Sequence, residues 1–114
     1  WFLPRALGHQ RAAELTFTGR LVDADEALRL GIVLEVLPPS DLMGHARELA
    51  RQIAAKPPQA LRLAKRLLRA GQAMDLKNFL DYCAALQAAC HGTADHAEAL
   101  SAFFEKRPGR YQGH

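Results

Sequence analysis

The sequence predicts an all-α protein with one minor short strand pair, and three observations carry that expectation. Hydrophobic residues make up 49% of the chain and aromatics only 7%, so much of the apolar material is Ala and Leu. Both residues lose little side-chain freedom on entering a helix. Helix start and stop signals recur at short intervals. A single apolar, β-branched run, from Ile32 to Leu37, reads instead as a strand.

Taken in order, His9 to Thr18 reads as a short helix stopped at Gly19, which tolerates the left-handed conformation. Asp23 and Glu26 form a D-x-x-E capping pair that opens a two-turn helix closing at Gly31. The Ile32–Leu37 run ends at Pro38-Pro39 and has Leu21-Val22 as its local partner, a pair that is marginal alone. Ser40 is expected to cap a helix to about Ala55, with Leu42, Ala46, Leu49, Ala50 and Ile53 on its apolar face. Lys56-Pro57-Pro58 stops it, and Pro58 suits the first position of the next helix. That helix, ending near Gly71, places Leu61, Ala64, Leu67 and Leu68 on one side. Asp75 caps a long helix with Phe79, Cys83, Leu86 and Cys90 at i, i+4, i+7 and i+11, ended by Gly92. Thr93 caps the last helix, and Pro108 bars its continuation.

With 114 residues the chain is the size of one modest domain or part of a larger one, and 1–114 reads as one helical domain. The net charge of +3 permits an anionic partner without demanding one. No apolar run approaches bilayer length, and the N-terminus lacks the basic-then-apolar pattern of a signal peptide. Cys83 and Cys90 are seven apart, about 10.5 Å along a helix, too far to pair with each other. Two free thiols fit a reducing cytoplasm. Trp1-Phe2-Leu3 would ordinarily be buried, so the start reads as a cut through a longer polypeptide.

Few constellations suggest chemistry. Arg62, Lys65, Arg66 and Arg69 fall within an arc of about 100° on one helix. Such a stripe could grip nucleic acid, but no aromatic residue interleaves with it, and the solvated face of an amphipathic helix accounts for it. His91 and His96 lie near Cys90 and Asp95, yet match no zinc spacing, so no metal site is expected. Ser40 and Ser101 sit in no nucleophile elbow, and the cysteines lie on an apolar stripe. Asp23, Asp25 and Glu26 are accounted for by the dipole of the helix they open. The tail differs: Phe103, Phe104, Lys106, Arg107, Arg110 and Tyr111 mix aromatics and cations at a helix end. Matching of the helix dipole explains the cations, and an adenine ring with a phosphate would be received equally well.

Three stretches together resemble the enoyl-CoA hydratase/isomerase, or crotonase, family. Leu3-Pro4-Arg5 with Gly8 is similar to its L-P-R-x-x-G segment. Leu15 to Ala24, with Ala27, Gly31 and Val33, is similar to its "lltGr-x-i-x-A-x-x-A-x-x-x-Gl-V" block. Thr93-Ala94-Asp95, Glu98 and Ala102 to Arg107 resemble the ending "T-x-D-x-x-E-G-x-x-A-F-x-E-K-R". Between them, Ile53 to Pro58 with Ala64-Lys65 looks like the usual helix junction, so the resemblance is collinear over essentially the whole chain. Ala99 departs from the family Gly, and His96 stands where a basic Arg is common.

The resemblance implies an orthogonal helical bundle, the C-terminal domain of a crotonase-type subunit that assembles as a homo-oligomer, a trimer or hexamer. It implies a cytoplasmic parent acting on coenzyme A thioesters in fatty acid metabolism, adding water to a 2-enoyl-CoA, with no further cofactor, no nucleic acid and no membrane. The backbone donors that hold the thioester oxygen, and the acid/base carboxylates, precede the L-P-R segment in the family. No catalytic residue is therefore assigned here. Phe103 and Lys106 match the family positions that approach the coenzyme A nucleotide, and their spacing places both on one helix face. The chief rival is a stand-alone, non-enzymatic helical interaction module, followed by a basic nucleic-acid-binding protein.

Overall fold

Seven helices supply all the regular structure across residues 1–114, every one of which the computed structural model describes. The chain is all-α and divides into two units, Trp1–Gly44 and His45–His114.

The first unit holds α1 (Phe2–Leu7), α2 (His9–Thr18) and α3 (Ala24–Arg29), followed by the start of α4 (Pro39–Ala54). Helix α1 was not anticipated from the sequence. Pro4 lies within its first turn, where no intrahelical donor is lost, and the Arg5 guanidinium stands 4.0 Å over the Trp1 ring. Helix α2 stops at Gly19 in the left-handed conformation (φ 62°), as expected. Asp23 caps α3 by accepting from the Glu26 amide at 2.7 Å. Ala12 and Leu15, both on α2, form the buried core of this unit.

Arg20 joins α2 to α3. Its guanidinium meets the two oxygens of Glu14 at 2.5 and 3.1 Å and both oxygens of Glu26 at 2.8 Å. The two carboxyls are held below their ordinary range by hydrogen bonds from Arg20, which is itself raised by Glu26 and then Glu14. Glu26 therefore has a fixed partner besides the helix dipole.

The strand pair does not form. The Ile32 amide donates to Ala27 O at 2.9 Å and the Gly31 amide to Leu28 O at 3.0 Å, with Gly31 at φ 75°. These two bonds are a Schellman closure of α3, so the first residue of the expected strand completes a helix instead. Its expected partner is only two residues long, and Leu21 stands 94% exposed. The Ser40 cap also fails: α4 begins at Pro39, one residue before Ser40 itself, and the Ser40 hydroxyl donates to Asp41 Oδ1 at 2.8 Å. Pro39 prevails because its fixed φ suits a first helical position and its missing donor costs nothing there.

The second unit contains the rest of α4, then α5 (Pro58–Ala70), α6 (Leu76–His91) and α7 (Ala94–Phe104). Pro57 and Pro58 open α5, and Asp75 caps α6 through the Asn78 amide at 3.0 Å. The stripe Phe79, Cys83, Leu86 and Cys90 is half-buried, and its last three members face Ala60, Leu63, Ala64 and Leu67 of α5. The inward row of α5 is thus displaced from expectation: Leu63 is buried and Leu68 is 76% exposed. In so Leu-rich a helix two adjacent stripes satisfy the same periodicity, and packing against α6 selects one. At the C-terminus of α5, a Cβ on Gly71 would stand 3.0 Å from Phe79 Cε2, so the missing side chain admits that ring. Arg62, Lys65, Arg66 and Arg69 are all exposed on the opposite side. No helix is long and apolar enough to cross a membrane.

Candidate functional site

The tail expected to carry function is built from α7 outward. Thr93 caps the helix with an oxygen that accepts from the His96 amide at 3.1 Å and donates to Cys90 O at 2.7 Å. One hydroxyl therefore ties the end of α6 to the start of α7. The His91 and His96 rings stack with centroids 4.6 Å apart, and no group of three metal-ligating side chains gathers there. Cys83 and Cys90 are both free and half-buried.

Two acids on α7 hold the segment that follows it. Asp95, only 2% exposed, accepts from the amides of Gln112 at 2.6 Å and Gly113 at 2.8 Å. Its own amide donates to His114 O at 3.2 Å, so the last residues fold back along the helix start. Glu98 meets Arg107 as a fork, at 2.5 Å to Nη1 and 2.9 Å to Nη2, and accepts from the Arg110 amide at 2.9 Å. The Arg107 side chain also donates through Nε to Glu105 at 2.7 Å. Hydrogen bonds from Arg107, then from the Arg110 amide, hold the Glu98 carboxyl at about 2. Sequence reasoning missed both acids as anchors. The available signal was their i, i+3 spacing on one helix face, followed by a cationic tail.

Helix α7 ends in a second Schellman closure. The Lys106 amide donates to Phe103 O at 3.3 Å and the Arg107 amide to Ala102 O at 3.0 Å. Lys106 occupies the left-handed position at φ 54°. It has therefore left the helix, and the expectation that Phe103 and Lys106 share a helix face does not hold. What keeps them together is the backbone bond between them. Phe103 and Phe104 are 76% and 77% exposed and meet edge-on with centroids 5.7 Å apart, so Phe103 is not core within this chain.

A cavity of about 640 Å³ lies beside this turn and is lined by Asp95, Glu98, Arg107 and Arg110 among others, but not by Phe103 or Lys106. Its acids are already engaged by backbone amides and by Arg107. It is the space around an anchored tail, and no reacting group stands free within it.

The chain is thus all-α, with a closing helix that carries T-x-D-x-x-E and then E-K-R and whose two acids clamp the tail. The sequence profile of the family described as enoyl-CoA hydratase/isomerase matches residues 1–114, and this chain belongs to that family. A short-chain-enoyl-CoA hydratase of Clostridium acetobutylicum is 38% identical over 105 residues, covering 92% of this chain and 40% of its own length. The mitochondrial methylglutaconyl-CoA hydratase of Homo sapiens is 38% identical over 119 residues, covering 97% of this chain and 34% of its own. The crystal structure of an enoyl-CoA hydratase from Bacillus anthracis superposes with a TM-score of 0.95 at 40% identity, over 98% of this chain and 43% of that one. The chain thus spans well under half the length of the relatives it matches.

Proposed function

We propose that this chain is the C-terminal segment of a protein that adds water to 2-enoyl-CoA thioesters. In that role it supplies subunit contacts and a coenzyme A contact, while the reacting centre lies in the remainder of the protein. The observation that supports the coenzyme A contact is the end of α7. An exposed aromatic ring, Phe103, and a cation, Lys106, are held in one hydrogen-bonded turn. A ring offers a face to adenine, and a flexible ammonium brings a point charge to a phosphate without fixed geometry. The thioester itself is substrate, and no metal or further cofactor enters this reading.

Subunit contact is supported by the apolar surface that the chain leaves uncovered. Trp1, Phe2, Phe17, Leu21, Leu34, Leu68 and Phe104 are each more than two-thirds exposed. Apolar surface of this extent marks interfaces. We assign a homo-oligomer on that basis, a trimer or hexamer as the family resemblance implies, and a cytoplasmic location on the two free thiols.

The test is Lys106→Ala in the intact protein, titrated with crotonyl-CoA at low salt. Affinity should fall by about 1–2 kcal/mol, the scale of a charge-assisted hydrogen bond, and the loss should shrink as salt rises. Unchanged affinity at low salt defeats the assignment of Lys106 as a coenzyme A contact.

A further inference from the structure

We propose that Glu98 is a positioning residue, acting through Arg107 to hold the Lys106 ammonium where a phosphoryl group of the ligand is received. This rests on the coenzyme A contact proposed above and adds to it the device that aims the cation.

Five residues have positive φ, and four of them, Gly8, Gly19, Gly31 and Gly113, are glycines; Lys106 is the exception. The chain contains an internal control, because α3 and α7 end in the same Schellman pattern of hydrogen bonds. At the end of α3 the left-handed residue is Gly31, which adopts it without steric cost. At the end of α7 it is a lysine, whose Cβ crowds the following carbonyl. A side chain kept where its backbone is disfavoured points to a use for that side chain, and the surroundings must hold the turn in place.

Contacts hold the turn on both flanks. Glu105, before the lysine, pairs with Arg107 after it, through Nε at 2.7 Å. The remaining face of the Arg107 fork is taken by Glu98, nine positions earlier on α7, at 2.5 and 2.9 Å. Glu98 also accepts from the Arg110 amide, so it fixes the chain on the far side of the turn. With Arg107 neutralised by two carboxylates, Lys106 is the cation in the turn that is not engaged in an ion pair with them. Deleting the Glu98 charge should free Arg107 and let the turn relax, moving the ammonium while leaving it chemically intact.

The experiment is a double-mutant cycle in the intact protein, with Glu98→Gln, Lys106→Ala and the combination, titrated with crotonyl-CoA and with crotonyl-pantetheine, which lacks the nucleotide. Glu98→Gln should raise the Kd for crotonyl-CoA about three- to tenfold and leave the pantetheine thioester unchanged. In the Lys106→Ala background the same change should add less than about twofold, because the group it positions is gone. A merely structural Glu98 would weaken both ligands, or act with equal force in both backgrounds, and either result overturns the proposal while leaving Lys106 as a contact. An inert Lys106→Ala removes the contact itself and this proposal with it. Should Glu98→Gln fail to fold, Arg107→Lys replaces it in the same cycle, since it keeps the charge and loses the fork.

Discussion

Replacing Lys106 with glycine should move stability and affinity in opposite directions. The closing bonds of α7, Lys106 N to Phe103 O and Arg107 N to Ala102 O, involve backbone atoms alone, so Lys106→Gly retains them. What changes is the left-handed position at φ 54°. An L side chain there costs about 1–2 kcal/mol, and glycine returns about 0.5–1 kcal/mol of this through its greater freedom in the unfolded chain. The net gain is about 0.5–1 kcal/mol, which raises the Tm of a protein of some 200 residues or more by about 1–4 °C. Against this, the lost ammonium should weaken crotonyl-CoA binding by about 1–2 kcal/mol, or roughly five- to thirtyfold. Thermal unfolding by circular dichroism and calorimetric titration of the intact protein read the two effects separately. Lys106→Ala is the control: it removes the charge and keeps the strained Cβ, so affinity should fall with little change in Tm. A lower Tm for Lys106→Gly would refute the reasoning, since it would mean that the lysine stem packs to stabilising effect and the turn is not strained.

Two further outcomes concern the two ends of α7, Glu98 with the closing turn and Thr93 at the start. The Glu98 carboxyl is lowered from an ordinary 4.5 to about 2, so its contribution is complete above pH 4.5 and is lost as pH falls through about 2. The protection of the Arg110 amide, taken relative to the intrinsic exchange rate at each pH, should therefore hold down to about pH 5 and decline only below it; loss of protection between about pH 7 and pH 5 would contradict the assigned pairing. Thr93→Ala should destabilise by about 1–2 kcal/mol, at the upper end for a helix cap, because the hydroxyl serves α6 and α7 together. Thr93→Ser should restore most of that loss in chemical denaturation, and a failure to do so would place the effect in the methyl group.

Most helix ends were legible because they are set within a few residues. Gly19, Asp23, Asp75 and Thr93 each act on groups three or four positions away, Pro58 acts through its own fixed φ, and all five stand where their chemistry requires. The same reasoning erred where two local signals competed. Ser40 and Pro39 both suit a helix start, and the run after Gly31 served equally as strand or as the completion of α3. The family motif at the end of the chain was readable as a pattern, but its spacing did not disclose what each letter does.

The sequence by itself determined the all-α class, the order and near-boundaries of six helices, and the ring and cation at the tail. The helix boundaries follow from short-range sterics and hydrogen bonding at starts and stops, which depend little on distant partners. Tertiary structure alone decided that Leu63 rather than Leu68 turns inward, since helical periodicity admits both and only the facing row of α6 distinguishes them. It also decided that Asp95 and Glu98 reach residues nine to eighteen positions away, and that Lys106 leaves the helix. A carboxylate's partner at such separation is set by where the chain returns in space, and a lysine enters the left-handed region only where its surroundings outweigh its own preference.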